Sequence, residues 1–280
     1  MVRAGLHRPR FGRWLSLLLA GFAVLTLVAG VGYATGTFRN VAGLTGMWWH
    51  IAFALALVPL VLWHVVARGV ERRRTDLSRR ALMRAGVVSA GAIGLYATLA
   101  GLINVLALPG SRRRFTGSYE TGSFTPEAMP PTIWLADVVP VVDAEGWRLT
   151  ISDGNGTRKL TLSELSTRGA RLQATLDCTS GWYSQQEWAG APLATLVQRG
   201  PEDRSVLVHS MTGYWVRFPI ADLDHLLLAT GVGGLPLAPE HGFPARLVAP
   251  NRRGYWWVKW VDRIELQGTP PWWQPPFPVS

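Results

Sequence analysis

The chain has 280 residues, a formal net charge of +10 and a single cysteine. The lone thiol excludes an intramolecular disulfide and a multi-thiolate metal cluster. The basic excess does not point to nucleic acid: residues 115–280 carry thirteen basic and sixteen acidic side chains, so the surplus lies in the first 114 residues, where it suits topogenic loops.

A leader, residues 1–13, holds Arg3, Arg8, Arg10 and Arg13. Three apolar runs follow, at residues 14–33, 47–67 and 85–108, each free of Lys, Arg, Asp and Glu. A bilayer helix needs about 20 apolar residues, so all three are predicted to span a membrane. Pro59 in the second run is tolerated there. The loop after the first run carries only Arg39, whereas the next carries Arg68, Arg72, Arg73, Arg74, Arg79, Arg80 and Arg84. Positive loops stay in the cytoplasm. The expected topology therefore has the N-terminus inside and everything after Leu108 outside the cell membrane, with Arg112, Arg113 and Arg114 pulling weakly against it. Ser78-Arg79-Arg80-Ala81-Leu82-Met83 precedes a Gly- and Ala-rich run. It resembles a twin-arginine export signal in an internal position, and would deliver a folded domain to the periplasm. The plainer reading of Arg79 and Arg80 is a topology anchor.

His50 and His64 stand fourteen residues apart in the second run. On a helix that spacing turns through roughly 1400° and rises about 21 Å, so both face one side near opposite membrane surfaces. Ionisable residues inside a membrane are functional candidates, and the spacing resembles the haem-ligand pairs of cytochrome b helices. A haem b with two axial histidines would need partners from elsewhere, since the other two runs contain no His. Trp48, Trp49 and Trp63 beside them suit interface anchors equally well.

Residues 109–131 are rich in Gly, Ser, Pro and Arg and are expected to form a linker that then runs along the domain. A catalytic domain is expected over 132–280. Gly154-Asn155-Gly156 reads as a tight turn between strands at 147–152 and 157–162. Further strands are predicted at 171–176, 205–209, 214–218, 245–249 and 256–260, and helices at 163–166, 193–198 and 220–229. Strands mixed with fewer helices make this domain α+β. No flavin or nicotinamide fingerprint is present.

Cys178 lies in Leu176-Asp177-Cys178-Thr179-Ser180-Gly181-Trp182, with Trp188-Ala189-Gly190 behind it. On composition alone a free Cys is most often an inert buried side chain, and the alternatives are a nucleophile or one soft metal ligand. About sixty residues on come Gly234-Leu235-Pro236-Leu237, then Glu240-His241-Gly242-Phe243-Pro244-Ala245-Arg246, then Val258-Lys259-Trp260. These two segments, in this order and spacing, resemble the sulfite oxidase family of molybdopterin-dependent oxidoreductases, including its periplasmic methionine sulfoxide reductases.

The resemblance covers roughly residues 115–270. It implies a sulfite oxidase-like catalytic fold in which Cys178 binds molybdenum and His241, Arg246 and Lys259 hold the molybdopterin. It implies oxygen-atom transfer on a small or protein-bound S- or N-oxide or a sulfite-like substrate, with a cytochrome or quinone-linked electron partner, separate or fused. Sulfite oxidases place a substrate-site tyrosine after the Val-Lys-Trp motif and add an immunoglobulin-like domain. Here no Tyr follows Trp260 and few residues remain, an arrangement closer to the small periplasmic relatives that pair with a haem-bearing membrane subunit. Two alternatives stand beside this reading: a haem-containing electron-transfer membrane protein, and a cofactor-free binding domain that keeps the fold.

Overall fold

A computed structural model describes residues 10–38, 40–67, 78–133 and 137–274. Arg3, Arg8, Arg39, Arg68 and Arg72–Arg74 of the predicted topogenic segments lie outside the described residues. The chain divides into two compact units, Met1–Gly117 and Ser118–Ser280.

The first unit is built on helices α1 (Arg10–Thr35), α2 (Gly46–Ala67) and α3 (Arg79–Val105). Two short strands, β1 (Asn40–Val41) and β2 (Leu44–Thr45), join α1 to α2 as an antiparallel hairpin. All three helices are long and apolar enough to cross a membrane. Their large apolar side chains, such as Leu27, Leu55, Val66, Val87 and Ile93, stand mostly uncovered by protein, as lipid-facing surfaces require. α1 and α2 pack together through Phe22 and Phe53, with ring centroids 6.2 Å apart. α3 starts earlier than the apolar run predicted: Ser78 caps it by accepting from the Ala81 amide. Arg79, Arg80 and Arg84 are therefore helical, since a capped first turn tolerates charge that the bilayer core does not.

The second unit holds two sheets. Its strands in chain order are β3 (Tyr119–Glu120), β4 (Arg148–Asp153), β5 (Gly156–Thr161), β6 (Ala170–Asp177), β7 (Trp182–Pro192), β8 (Ser205–Ser210), β9 (Trp215–Pro219), β10 (Leu227–Val232), β11 (Leu235–Pro236), β12 (Arg246–Val248) and β13 (Val261–Gln267). One sheet runs β11-β10-β7-β3, with β12 on β10 and β6 on β7; the other runs β5-β4-β13-β8-β9. Among the described residues two short α-helices, α4 (Leu162–Ser166) and α5 (Leu193–Leu196), join them. The domain is α+β.

Period-2 patterning explains the five-stranded sheet. In β4 Leu149 and Ile151 are buried and Arg148 is exposed. Register then aligns Ile151 with Ile264, Ile264 with Val208 and Val208 with Val216, a buried row across four strands. Each such side chain contributes roughly 1.5–3 kcal/mol on burial. The β4–β5 hairpin turns on Gly154-Asn155, with Asp153 opposite Gly156, within the tight turn read from Gly154-Asn155-Gly156. Thr161 and Glu164 form a reciprocal capping box that starts α4.

Three expectations are corrected. The predicted helix 220–229 is a 3-10 turn, Ile220–His225, followed by β10. Leu227, Leu228 and Ala229 are buried between β7 and β12, and a fully buried strand reads as a continuous apolar run that periodicity cannot tell from a helix. The predicted strand 256–260 is a 3-10 turn, Gly254–Trp256, followed by irregular chain in which Trp260 takes φ 51°. The predicted linker 109–131 is partly structural: β3 pairs in parallel with β7, Tyr119 opposite Trp182. Further along, the Phe124 amide donates to the Gln185 carbonyl at 2.8 Å.

Candidate functional site

Cys178 follows the last residue of β6 and opens the turn into β7. Its amide donates to the Trp182 carbonyl at 2.8 Å, and Gly181, at φ 92°, closes the turn. The thiol is 7% exposed, with Sγ 3.2 Å from the Ser180 hydroxyl. It lines an open cleft with room for about 90 Å³, below the roughly 300–1,000 Å³ of small-molecule sites.

His241, Arg246 and Lys259 line the same cleft. Arg246 opens β12 and is 3% exposed. Its guanidinium lies against Trp188 and Trp257, at 5.4 and 5.7 Å from the ring centroids, and Nη1 donates to the His241 carbonyl at 3.1 Å. Its Nε is buried with no hydrogen-bond partner. Burial pulls its pKa down to about 10, which still leaves it charged at neutral pH. Lys259 Nζ donates to the Thr132 and Glu240 carbonyls, each at 2.7 Å, and lies 5.4 Å from the centre of the Trp260 ring. Burial, then the charge of Arg246, pulls the Lys259 ammonium down to about 7. His241 is held low by burial first and by Arg246 and Lys259 next, so it is neutral. Its Nε2 donates to the Met129 carbonyl at 3.0 Å, which leaves Nδ1 as an acceptor.

A buried, unpaired guanidinium N–H beside a second cation calls for an anionic, hydrogen-bond-accepting guest. The phosphate of a molybdopterin answers that description, and the single thiolate answers its metal. The residues present fit that group. His241 fits it differently from the sequence expectation, because its donor is already used on Met129. Tyr214 and Tyr255 also line the cleft and were not singled out in the sequence. Burial pushes the Tyr214 pKa up, and its hydroxyl donates to the Tyr255 carbonyl.

Two glycines let these segments converge. A Cβ on Gly254 would meet Cys178 Cα at 3.1 Å. Gly242, at φ 108°, would place its Cβ 3.2 Å from both Arg246 Cβ and Lys259 Cα. Behind Cys178, Arg253 pairs with Asp177 at 3.1 Å. Nothing local in the sequence marked that pair.

The two histidines of α2 are placed differently. His50 Nδ1 lies 2.8 Å from the Thr26 carbonyl on α1, and His64 Nδ1 is buried without a hydrogen-bond partner. Among the described residues no group of three His, Cys, Asp or Glu side chains could hold a metal ion.

The oxidoreductase molybdopterin binding domain family matches residues 136–272. The mitochondrial sulfite oxidase of Rattus norvegicus is 34% identical over 107 residues, which is 33% of this chain and 20% of that protein. The uncharacterized oxidoreductase YuiH of Bacillus subtilis (strain 168) is 31% identical over 99 residues, 32% of this chain and 49% of that protein. The crystal structure of the sulfane dehydrogenase SoxCD from Paracoccus pantotrophus aligns at 25% identity over 47% of this chain and 40% of that one, with a TM-score of 0.43. The chain thus spans about a fifth and about half of the two curated relatives' lengths. Residues 136–272 thus match the oxidoreductase molybdopterin binding domain, and the chain is similar over part of its length to sulfite oxidases.

Proposed function

We propose that the chain is a membrane-anchored, molybdopterin-dependent oxidoreductase whose second unit works outside the cytoplasm. Its reaction is oxygen-atom transfer on a small or protein-bound S- or N-oxide or a sulfite-like substrate. One observation carries the reading: the sole thiol opens onto the cleft where buried Arg246 keeps an unpaired Nε. When bound, the cofactor supplies two-electron redox chemistry at a metal that takes up or gives up an oxygen atom. Cys178 supplies a soft thiolate ligand. Arg246 and Lys259 set two basic groups in the same cleft, which suits a phosphate. Trp182, Trp257 and Trp260 line the cleft and offer apolar faces that exclude water from a flat ring system. Electrons come from a cytochrome or quinone-linked partner. The three apolar helices and the arginine asymmetry of their loops support the anchor and its orientation, and Arg79-Arg80 supports twin-arginine export.

Metal and pterin analysis of the detergent-extracted protein tests the reading, followed by S- and N-oxide turnover with an artificial electron donor. Molybdenum near one per chain is expected in the wild type, with loss of activity in an exported Cys178→Ser variant. A folded wild type without molybdenum refutes the reading and leaves a binding domain that has kept the fold.

A second reading adds haem at α2. The His50 Nδ1 contact to a carbonyl leaves Nε2 open, a common arrangement for metal-binding histidines, and His64 carries an unpaired buried nitrogen. α1 and α3 supply no second imidazole, so the other axial ligands would come from another chain or from Met. A Soret band in intact membranes, lost in His64→Ala, is the expected result; membranes without the band refute it.

A further inference from the structure

Three chain segments meet behind Cys178. Ser118 is the first residue of the second unit and is fully buried. Its hydroxyl donates to Asp177 Oδ1 at 2.6 Å and reaches the Cys178 carbonyl at 3.4 Å. Arg253 Nη1 donates to the same carboxylate oxygen at 3.1 Å, and Nη2 donates to the Cys178 carbonyl at 3.2 Å. Asp177 and Arg253 also form an isolated parallel bridge. The Tyr119 amide, one residue past Ser118, donates to the Gly181 carbonyl at 3.0 Å and so holds the far end of the same turn. None of the three side chains lines the cleft, so none is placed to touch a substrate.

We propose that Ser118, Asp177 and Arg253 are positioning residues that fix the main chain of Cys178 and so aim its thiolate into the cleft. The chain's entry into the second unit is then part of the metal site. The inference rests on Cys178 being the molybdenum ligand. Its physical basis is that partners one shell behind a ligand set the ligand's direction. The guanidinium is the part that cannot be simplified. Its fork spans a carboxylate and a carbonyl at once, whereas an ammonium is a single point of charge.

Because Cys178 is the only cysteine, alkylation of cofactor-free protein reads this one atom, independently of turnover. The variants are Ser118→Ala, Arg253→Met and Arg253→Lys. Arg252→Met serves as control, since that neighbour pairs with Asp222 instead. The expected result is faster alkylation of Cys178 in Ser118→Ala and Arg253→Met, partly restored in Arg253→Lys. Molybdenum retention should fall about 10–100-fold in the same order, with Arg252→Met like wild type. Wild-type alkylation and retention in Ser118→Ala and Arg253→Met overturn the inference, and so does an equal effect in Arg252→Met. If Arg253→Met does not fold, Ser118→Ala and Arg253→Lys decide. A wild type without molybdenum sinks the metal reading of Cys178, while the alkylation series still decides whether these residues position it.

Discussion

At the scale of residues, the cleft concentrates unfavourable burial. Arg246 is a cation taken out of water and Lys259 an amine whose burial opposes its charge, and neither has a carboxylate partner among its hydrogen bonds. Such groups destabilise the empty domain and are retained where a ligand needs them. Lys259 makes this measurable. Its folded pKa of about 7 lies below the ordinary value of 10.5. Between those values the unfolded chain holds more protons than the folded one, so stability rises with pH across that window. In cofactor-free protein, denaturant midpoints followed by tryptophan fluorescence should climb from pH 7 to 9.5, and Lys259→Met should flatten the climb. An unchanged slope in the variant would remove Lys259 as its source. The sequence made Cys178, His241, Arg246 and Lys259 legible because two short motifs carry them, and the structure brings all four to one cleft. Ser118, Asp177 and Arg253 escaped it because ion pairs and hydrogen bonds across 59 and 76 positions leave no local pattern.

At the scale of elements, the thiol is placed by β6, the turn at 178–181 and the 3-10 turn Gly254–Trp256 pressed behind it. Gly254→Ala should therefore push on Cys178 Cα and the Asp177 carbonyl, 3.1 and 3.3 Å from the new methyl. Overpacking of this kind costs about 1–3 kcal/mol. A lower unfolding midpoint together with poorer molybdenum retention is the expected outcome; wild-type values of both would show that the turn yields without moving the thiol. A strand with one polar face was legible, as in β4. β7 was not, because its inward row includes buried Ser184 and Gln186 beside Trp182 and Trp188. Gln186 Nε2 donates to the Ser184 hydroxyl and to the Gly122 carbonyl, the latter 64 positions away, while its Oε1 is buried without a partner. β10 was hidden by the opposite fault, an apolar run without alternation.

At the scale of the whole molecule, two units with different surfaces share one chain. The first buries little of its apolar surface within itself, and the second closes a core of two sheets. The proposed topology places the second unit outside the cytoplasm. Protease added to intact spheroplasts should then remove the second unit and leave the leader protected; protection of both would reverse the proposed topology.

The central claim is that the Cys178 sulfur is a ligand of molybdenum. X-ray absorption at the molybdenum edge tests it most directly, by comparing wild type with Cys178→Ser reconstituted with cofactor. The account predicts one sulfur neighbour fewer around the metal in the variant. An unchanged sulfur count would contradict it.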